Sequence, residues 1–153
     1  AHAGQPDEAL AVLQKTFLLA PRFWFPHVFA ASAYIEKGMF TEAIAESRRA
    51  TELSGAQTSS LAFEGYALAK LGKTNEARTI AEKLKSLSKE RFIPPSHVAM
   101  IYNGLGERDE VFAWLERALE LHDPKLTFLK VEPTWNNLRD DPRFQNVMRR
   151  IGF

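Results

Sequence analysis

The sequence predicts an all-α fold of stacked helix–turn–helix units, and three observations carry that prediction. Glycine recurs at Gly4, Gly38, Gly72 and Gly106, each 34 residues after the last. The segments that follow share one pattern: PDEAL, FTEAI, TNEAR and RDEVF. Apolar residues beyond each glycine fall at helical spacing. A period of 34 is the length of one helix–turn–helix repeat, and such a unit buries its apolar face only against its neighbours.

With 153 residues the chain fits one domain with a real core. Its net charge of +1 gives no general field for nucleic acid or acidic lipid, so neither partner is expected. The absence of cysteine excludes a disulfide frame and thiolate metal sites. Apolar runs fall far short of the ~20 residues a membrane helix needs, and no signal peptide is visible. A cysteine-free chain suits the cytosol or the periplasm; the expectation adopted is cytoplasmic.

Residues 1–23 supply a turn and one helix, the second (B) helix of a unit. Pro6-Asp7-Glu8 opens it, Ala9, Val12, Leu13, Thr16 and Leu19 follow at helical spacing, and Pro21 closes it. The first (A) helix of that unit is missing and there is no initiator methionine. The expectation is therefore a piece of a longer protein, with Leu10, Leu13 and Phe17 on an uncovered face.

Residues 24–57, 58–91 and 92–125 read as three whole units. In the first, helix A runs from about Pro26 to Lys37 and helix B from about Thr41 to Ser54, proline suiting a first helical turn. Ala31, Ala43, Gly65, Ala77, Ala99 and Val111 stand where helices cross closely, and Ala50 lets the next unit approach. Ser60 is placed as the cap of the second helix A. Glu42, Glu46 and Glu52 interleave with Arg48 and Arg49 as a solvated face. Pro94-Pro95 leads into the third unit.

After Asp123-Pro124 the period fails, because Pro133 falls where a further helix A needs unbroken hydrogen bonding. Residues 126–153 are read instead as a C-terminal cap. It holds a short apolar segment over 126–131, one turn at Trp135 and Leu138, and a final helix opened by Asp141-Pro142. The basic residues Arg139, Arg143, Arg149 and Arg150 are interrupted by Asp140 and Asp141, with no aromatic platform for bases, and read as an outer face.

Across residues 4–125 the pattern resembles the tetratricopeptide repeat family. The resemblance rests on the four glycines, Ala31/Gly65/Ala99, Tyr34 and Tyr102, Ala9/Ala43/Ala77, Ala50/Ala118, and Pro21. The tryptophan usual near the start of helix A is replaced by His27, Leu61 and Pro95. The tail VEPTWNNLRDDPRFQNVMRRIGF also resembles the end that follows such repeats in bacterial multidomain regulators, among them winged-helix transcription regulators, nucleotide cyclases and Ser/Thr kinases.

The resemblance implies a right-handed α-solenoid and a concave groove, lined by helix A, that binds protein segments. Carried over position by position, the groove consists of Phe25, Val28, Phe29, Ser32, Ile35 and Glu36, then Ala62, Phe63, Tyr66, Ala69 and Lys70, then Ile93, Ser96, His97, Met100 and Asn103. Relatives that clamp acidic chaperone tails need lysine, asparagine and arginine in the groove. Val28, Ser32, Phe63, Ile93 and His97 stand there, so that partner is not expected. The implied function is a non-catalytic scaffold for a protein or peptide segment, one from its own parent chain included. The alternative is an oligomerisation or spacer module. No cofactor or metal is implied.

Several features have plainer readings. The groove aromatics are either an exposed binding patch or core shared between units. Phe23, Trp24 and Phe25 are expected to pack on the first helix rather than anchor a partner. Leu71-Gly72-Lys73-Thr74 imitates the end of a phosphate loop but lacks its first glycine, Ala67 standing there, and the preceding strand. His2, His27, His97 and His122 share no ligand spacing, and His97 alone is placed in the groove, facing a partner or water.

Overall fold

The computed structural model describes residues 5–19, 23–55 and 57–152, and among these there is no strand. The described residues form eight α-helices and two 3-10 helices, in order: α1 (Gln5–Leu19), α2 (Phe25–Glu36), α3 (Phe40–Ser54), α4 (Ser59–Lys70), α5 (Thr74–Leu87), α6 (Pro95–Leu105), α7 (Arg108–Glu120), η1 (Pro124–Lys130), η2 (Pro133–Leu138) and α8 (Pro142–Ile151). Each α-helix from α1 to α7 packs on the next, and α2, α4 and α6 also touch one another in series. This is a helical repeat solenoid. Gly4 and Pro21 lie outside the described residues, as do the side chains of Thr16, Phe17 and Leu19.

The repeated glycine has a direct structural cause. Gly38, Gly72 and Gly106 all adopt left-handed φ, at 75°, 83° and 78°. In each turn the glycine N–H donates three residues back, and the next N–H donates five residues back. Gly38 reaches Ile35 O and Met39 reaches Tyr34 O, at 2.9 and 2.8 Å; Gly72 and Lys73 reach Ala69 O and Leu68 O; Gly106 and Glu107 reach Asn103 O and Tyr102 O. One turn is thus built three times, and it satisfies the helix-end carbonyls. The same closure recurs after α7, where Asp123 N–H donates to Ala118 O and the left-handed residue is His122, with φ 54°.

Small residues then decide how close the helices come. Ala31, Ala43, Ala50, Ala77, Ala99, Val111 and Ala118 are all fully buried. Gly65 was expected where helix A meets its own helix B; its nearest obstacle is instead on the next helix A. A Cβ there would lie 2.7 Å from the Ile101 side chain. Gly104 answers it, since a Cβ at that position would lie 3.0 Å from Tyr66 O on α4. Ser60 is not the α4 cap: the helix starts at Ser59, and the Gln57 side chain accepts from Ser60 N–H at 3.2 Å.

Among the described side chains of α1 the buried positions are Pro6 and Leu10, while Ala9 and Val12 are exposed. Leu10 packs with Ala30 and Ala33 of α2, so it is not part of an uncovered face. Nor are all the α3 charges solvated among themselves. Arg49 pairs with Glu52, but Glu46 reaches His27 on α2 at 2.6 Å and Arg48 reaches Glu64 on α4 at 2.9 Å.

The C-terminal segment keeps more of the period than its prolines suggest. α3, α5, α7 and α8 begin at residues 40, 74, 108 and 142, still 34 apart. The last helix B is therefore in phase, and only its helix A is broken, into η1 and η2. Pro133 is the reason, because it has no N–H to give Leu129 O. The Arg139 guanidinium takes that carbonyl instead and also donates to Glu132 O at 3.1 Å. Asp141 caps α8 through Arg143 N–H at 2.9 Å, and Phe144 and Val147 are buried. Arg143 pairs with Asp109 at 3.0 Å and Arg150 with Glu116 at 2.9 Å, holding α8 on α7.

Because one turn geometry is filled by glycine in three places and by histidine in a fourth, two substitutions should have opposite signs. Gly72→Val should cost about 1–2 kcal/mol, and His122→Gly should stabilise by about 0.5–1 kcal/mol, in urea denaturation at constant m-value. A destabilised His122→Gly protein would contradict the turn assignment.

Candidate functional site

The concave side of α2, α4 and α6 is closed at one end by the protein's own chain. η2 lies against both α2 and α6. It is locked there by a reciprocal amide pair: Asn103 Nδ2 donates to Asn137 Oδ1, and Asn137 Nδ2 to Asn103 Oδ1, both at 2.9 Å. Asn103 Nδ2 also donates to Thr134 O at 2.7 Å. Trp135 is fully buried and stacks on Phe144 with ring centroids 6.2 Å apart.

What remains of the concave face is a cavity of about 480 Å³. α2 contributes Phe25, Val28, Phe29 and Ser32, with Trp24 just before it; α4 contributes Ser59 and Phe63; α6 contributes Ser96, His97 and Met100. The fourth wall, unforeseen in the sequence, is Lys125 and Phe128 from η1, Val131 and Glu132 from the link, and Trp135 from η2. Phe63, Ser96, His97, Met100 and Trp135 are buried and form the floor. Trp24, Phe25, Phe29, Phe128 and Val131 are 37–69% exposed and form the rim.

Other residues assigned to the groove lie elsewhere. Ile35 and Tyr66 are buried and do not line the cavity, while Lys70 is exposed at the end of α4. Asn103 is committed to the cap. Ile93 faces a small separate cleft with Trp114 and Leu121. The aromatic run at the start of α2 is not packed away: Phe23 and Phe25 are 57% and 47% exposed. Phe25 meets Trp24 and Phe29 edge to face, at 6.2 and 5.9 Å. Such tilted contacts are the favoured geometry of aromatic pairs.

His97 is neither open to water nor waiting for a partner. Its Nδ1 lies 2.8 Å from Thr58 Oγ1 and its Nε2 3.4 Å from Ser59 Oγ, and the residue is buried. Burial, helped by the Lys125 charge, pushes the imidazole down to about 3. Glu132 is shifted the other way. Burial raises its carboxyl to about 7, against the opposing pull of the Trp135 Nε1–H bond at 3.3 Å and of Lys125. Among the described residues, no group of three or more histidines, aspartates and glutamates is placed to hold a metal ion.

Fold and cavity together define a helical repeat protein with a concave apolar recess. Residues 27–57, the α2–α3 pair, match the family model for the tetratricopeptide repeat, which supports a repeat of that kind at this helix pair. Searches of curated proteins and of solved structures returned no match. Among the described residues no helix is long and apolar enough to cross a membrane.

Replacing Asn103 by alanine should cost about 1.5–2.5 kcal/mol in urea denaturation, because buried Thr134 O loses its partner while the exposed Asn137 amide turns to water, and should expose Trp135 to quenchers. A loss below about 1 kcal/mol would show that the cap is held elsewhere. The two shifted groups make a second prediction. Unfolded chains bind a proton at His97 below pH 6.5 that the folded ring refuses until about pH 3, so acidification through that window favours unfolding. The folded protein keeps a proton on Glu132 up to about pH 7 that the unfolded chain releases near 4.5, so acidification there favours folding. Between pH 5 and 6.5 the effects oppose. Glu132→Gln should therefore steepen the acid loss of stability and His97→Gln should reverse it, read as the slope of unfolding free energy against pH.

Proposed function

We propose that this protein is a non-catalytic interaction scaffold that takes a segment of a partner protein at the concave cavity. The partner's bulky apolar side chains would seat between the exposed Trp24, Phe25, Phe29 and Phe128. The observation that carries the reading is this exposed aromatic rim over a buried floor, a combination that marks binding surfaces rather than core. The repeat family, whose members mediate protein–protein contacts, supports it. The tail's likeness to the ends of bacterial multidomain regulators supports a regulatory part of a larger bacterial protein, with a segment of that parent chain among the candidate partners. Because η2 closes one end, the segment would enter through the rim rather than lie along all three A helices.

A displayed library of random dodecapeptides should yield sequences rich in aromatic and large aliphatic residues. The Phe25→Glu/Phe29→Glu protein should bind the enriched peptides at least about tenfold more weakly, about 1.4 kcal/mol, with unchanged helicity. Both positions are about half exposed, so the fold should tolerate the charges. Equal affinity for the double variant, or no enrichment, would refute the cavity as the docking site. A wild-type dimer in light scattering that the double variant dissolves would assign the aromatics to self-association instead.

A further inference from the structure

Three polar groups on the cavity wall are not explained by apolar anchoring. Ser96 is 3% exposed, and its hydroxyl has no hydrogen-bond partner, a state that folded proteins ordinarily avoid. The Lys125 ammonium lies 5.4 Å from the Phe128 ring centroid and is within salt-bridge distance of no carboxylate among the described residues. The backbones of the two residues are drawn together by one carboxylate, and both residues line the same cavity: Asp123 Oδ2 accepts from Ser96 N–H at 2.9 Å and Oδ1 from Lys125 N–H at 2.8 Å. Glu132, beside them, has one oxygen engaged by Trp135 Nε1–H. The remaining titratable side chain on the wall, His97, is engaged through both ring nitrogens; the lining residues of α2 and α4 are aromatic, aliphatic or serine.

We propose that the cavity binds a small amphipathic carboxylic acid, its apolar body among Phe29, Phe63, Met100 and Trp135 and its carboxylate held by the Lys125 ammonium and the Ser96 hydroxyl. The volume of about 480 Å³ falls within the roughly 300–1,000 Å³ of small-molecule sites, which combine apolar walls with a few convergent polar groups. An amine head would face Lys125, and an amide would leave the ammonium without a counter-charge. A bound carboxylate also acts on Glu132. Two like charges near one another disfavour joint ionisation, so Glu132, already raised to about 7 by burial, takes up a proton when the acid binds. Affinity therefore falls as pH rises above 7. This inference goes beyond the partner-segment reading and does not require it; free acid and segment would compete for one recess.

The test uses 4-phenylbutanoate, 4-phenylbutanamide and 4-phenylbutylamine as matched probes, by titration calorimetry and amide chemical shifts, with no peptide present. One-site binding of the acid is expected, with shifts at Ser96 and Lys125, the amide at least tenfold weaker and the amine weaker still. Lys125→Met should bring the acid to the affinity of the amide and leave the amide unchanged. Ser96→Ala should weaken the acid severalfold without lowering stability. Raising pH from 6.5 to 8.5 should weaken the acid in the wild type and not in Glu132→Gln. Acid and amide binding equally, an acid affinity untouched by Lys125→Met, or no saturable binding of the acid would each overturn the proposal. None of these outcomes touches the peptide-library result, so the two readings fail separately.

Discussion

A side chain at residue 65 would collide with Ile101, and one at residue 104 would press on the Tyr66 carbonyl. The close approach of α4 to α6 therefore exists only because each helix presents a glycine to the other. Glycine inside a helix costs roughly 0.5–1 kcal/mol relative to alanine, so the contact must return more than that in burial. It does so through Ile101, Leu68 and Ala99, all essentially without solvent exposure. With α4 and α6 this close, the residues of three successive A helices converge on one concave surface. Phe63 and Met100 become a floor, and Trp24, Phe25 and Phe29 remain above it.

The second determinant is the way the broken helix at the C-terminal end is repaired. Pro133 removes a donor from what the period would make a helix A, and the chain answers with Arg139, which serves Leu129 O and Glu132 O from a side chain. The two 3-10 helices that result are short enough to turn into the groove rather than extend the array. Solenoids need an atypical terminal unit to cover their last apolar face. Here that unit also becomes a wall of the recess, through Phe128, Val131 and Trp135. The amide pair of Asn103 and Asn137 fixes its position, so a polar contact specifies where an otherwise apolar surface stops.

Much of this was legible in advance. The glycine period reports a local requirement, one left-handed residue per turn, and local requirements are written residue by residue. Alanine at the crossings reports a lack of space, which is nearly as local. His97 was legible in place but not in state. That it lies in the concave phase follows from helical register, whereas its burial depends on Thr58 and Ser59, which lie nearly forty residues away. The aromatics at the start of α2 were likewise legible in place and not in exposure. Composition says that Trp24 and Phe25 favour contact; it does not say whether the contact is α1 or an open recess. The wall from 124 to 135 left only a faint signal, apolar residues at 128, 131 and 135 in a segment too rich in proline for a helix.

The sequence by itself determined the repeat length, the helix pairs, the turns and the small residues at the crossings, because each follows from backbone conformation or steric fit within a few residues of chain. Tertiary structure alone decided that the final helix packs on α7 as a further helix B, with the two 3-10 helices standing in for its partner. It alone decided that η2 closes one end of the groove, and that Ser96, Lys125 and Glu132 line the space left open. The physical reason is that these outcomes depend on contacts between segments some thirty residues apart in the chain. Their partners become neighbours only after the array has stacked.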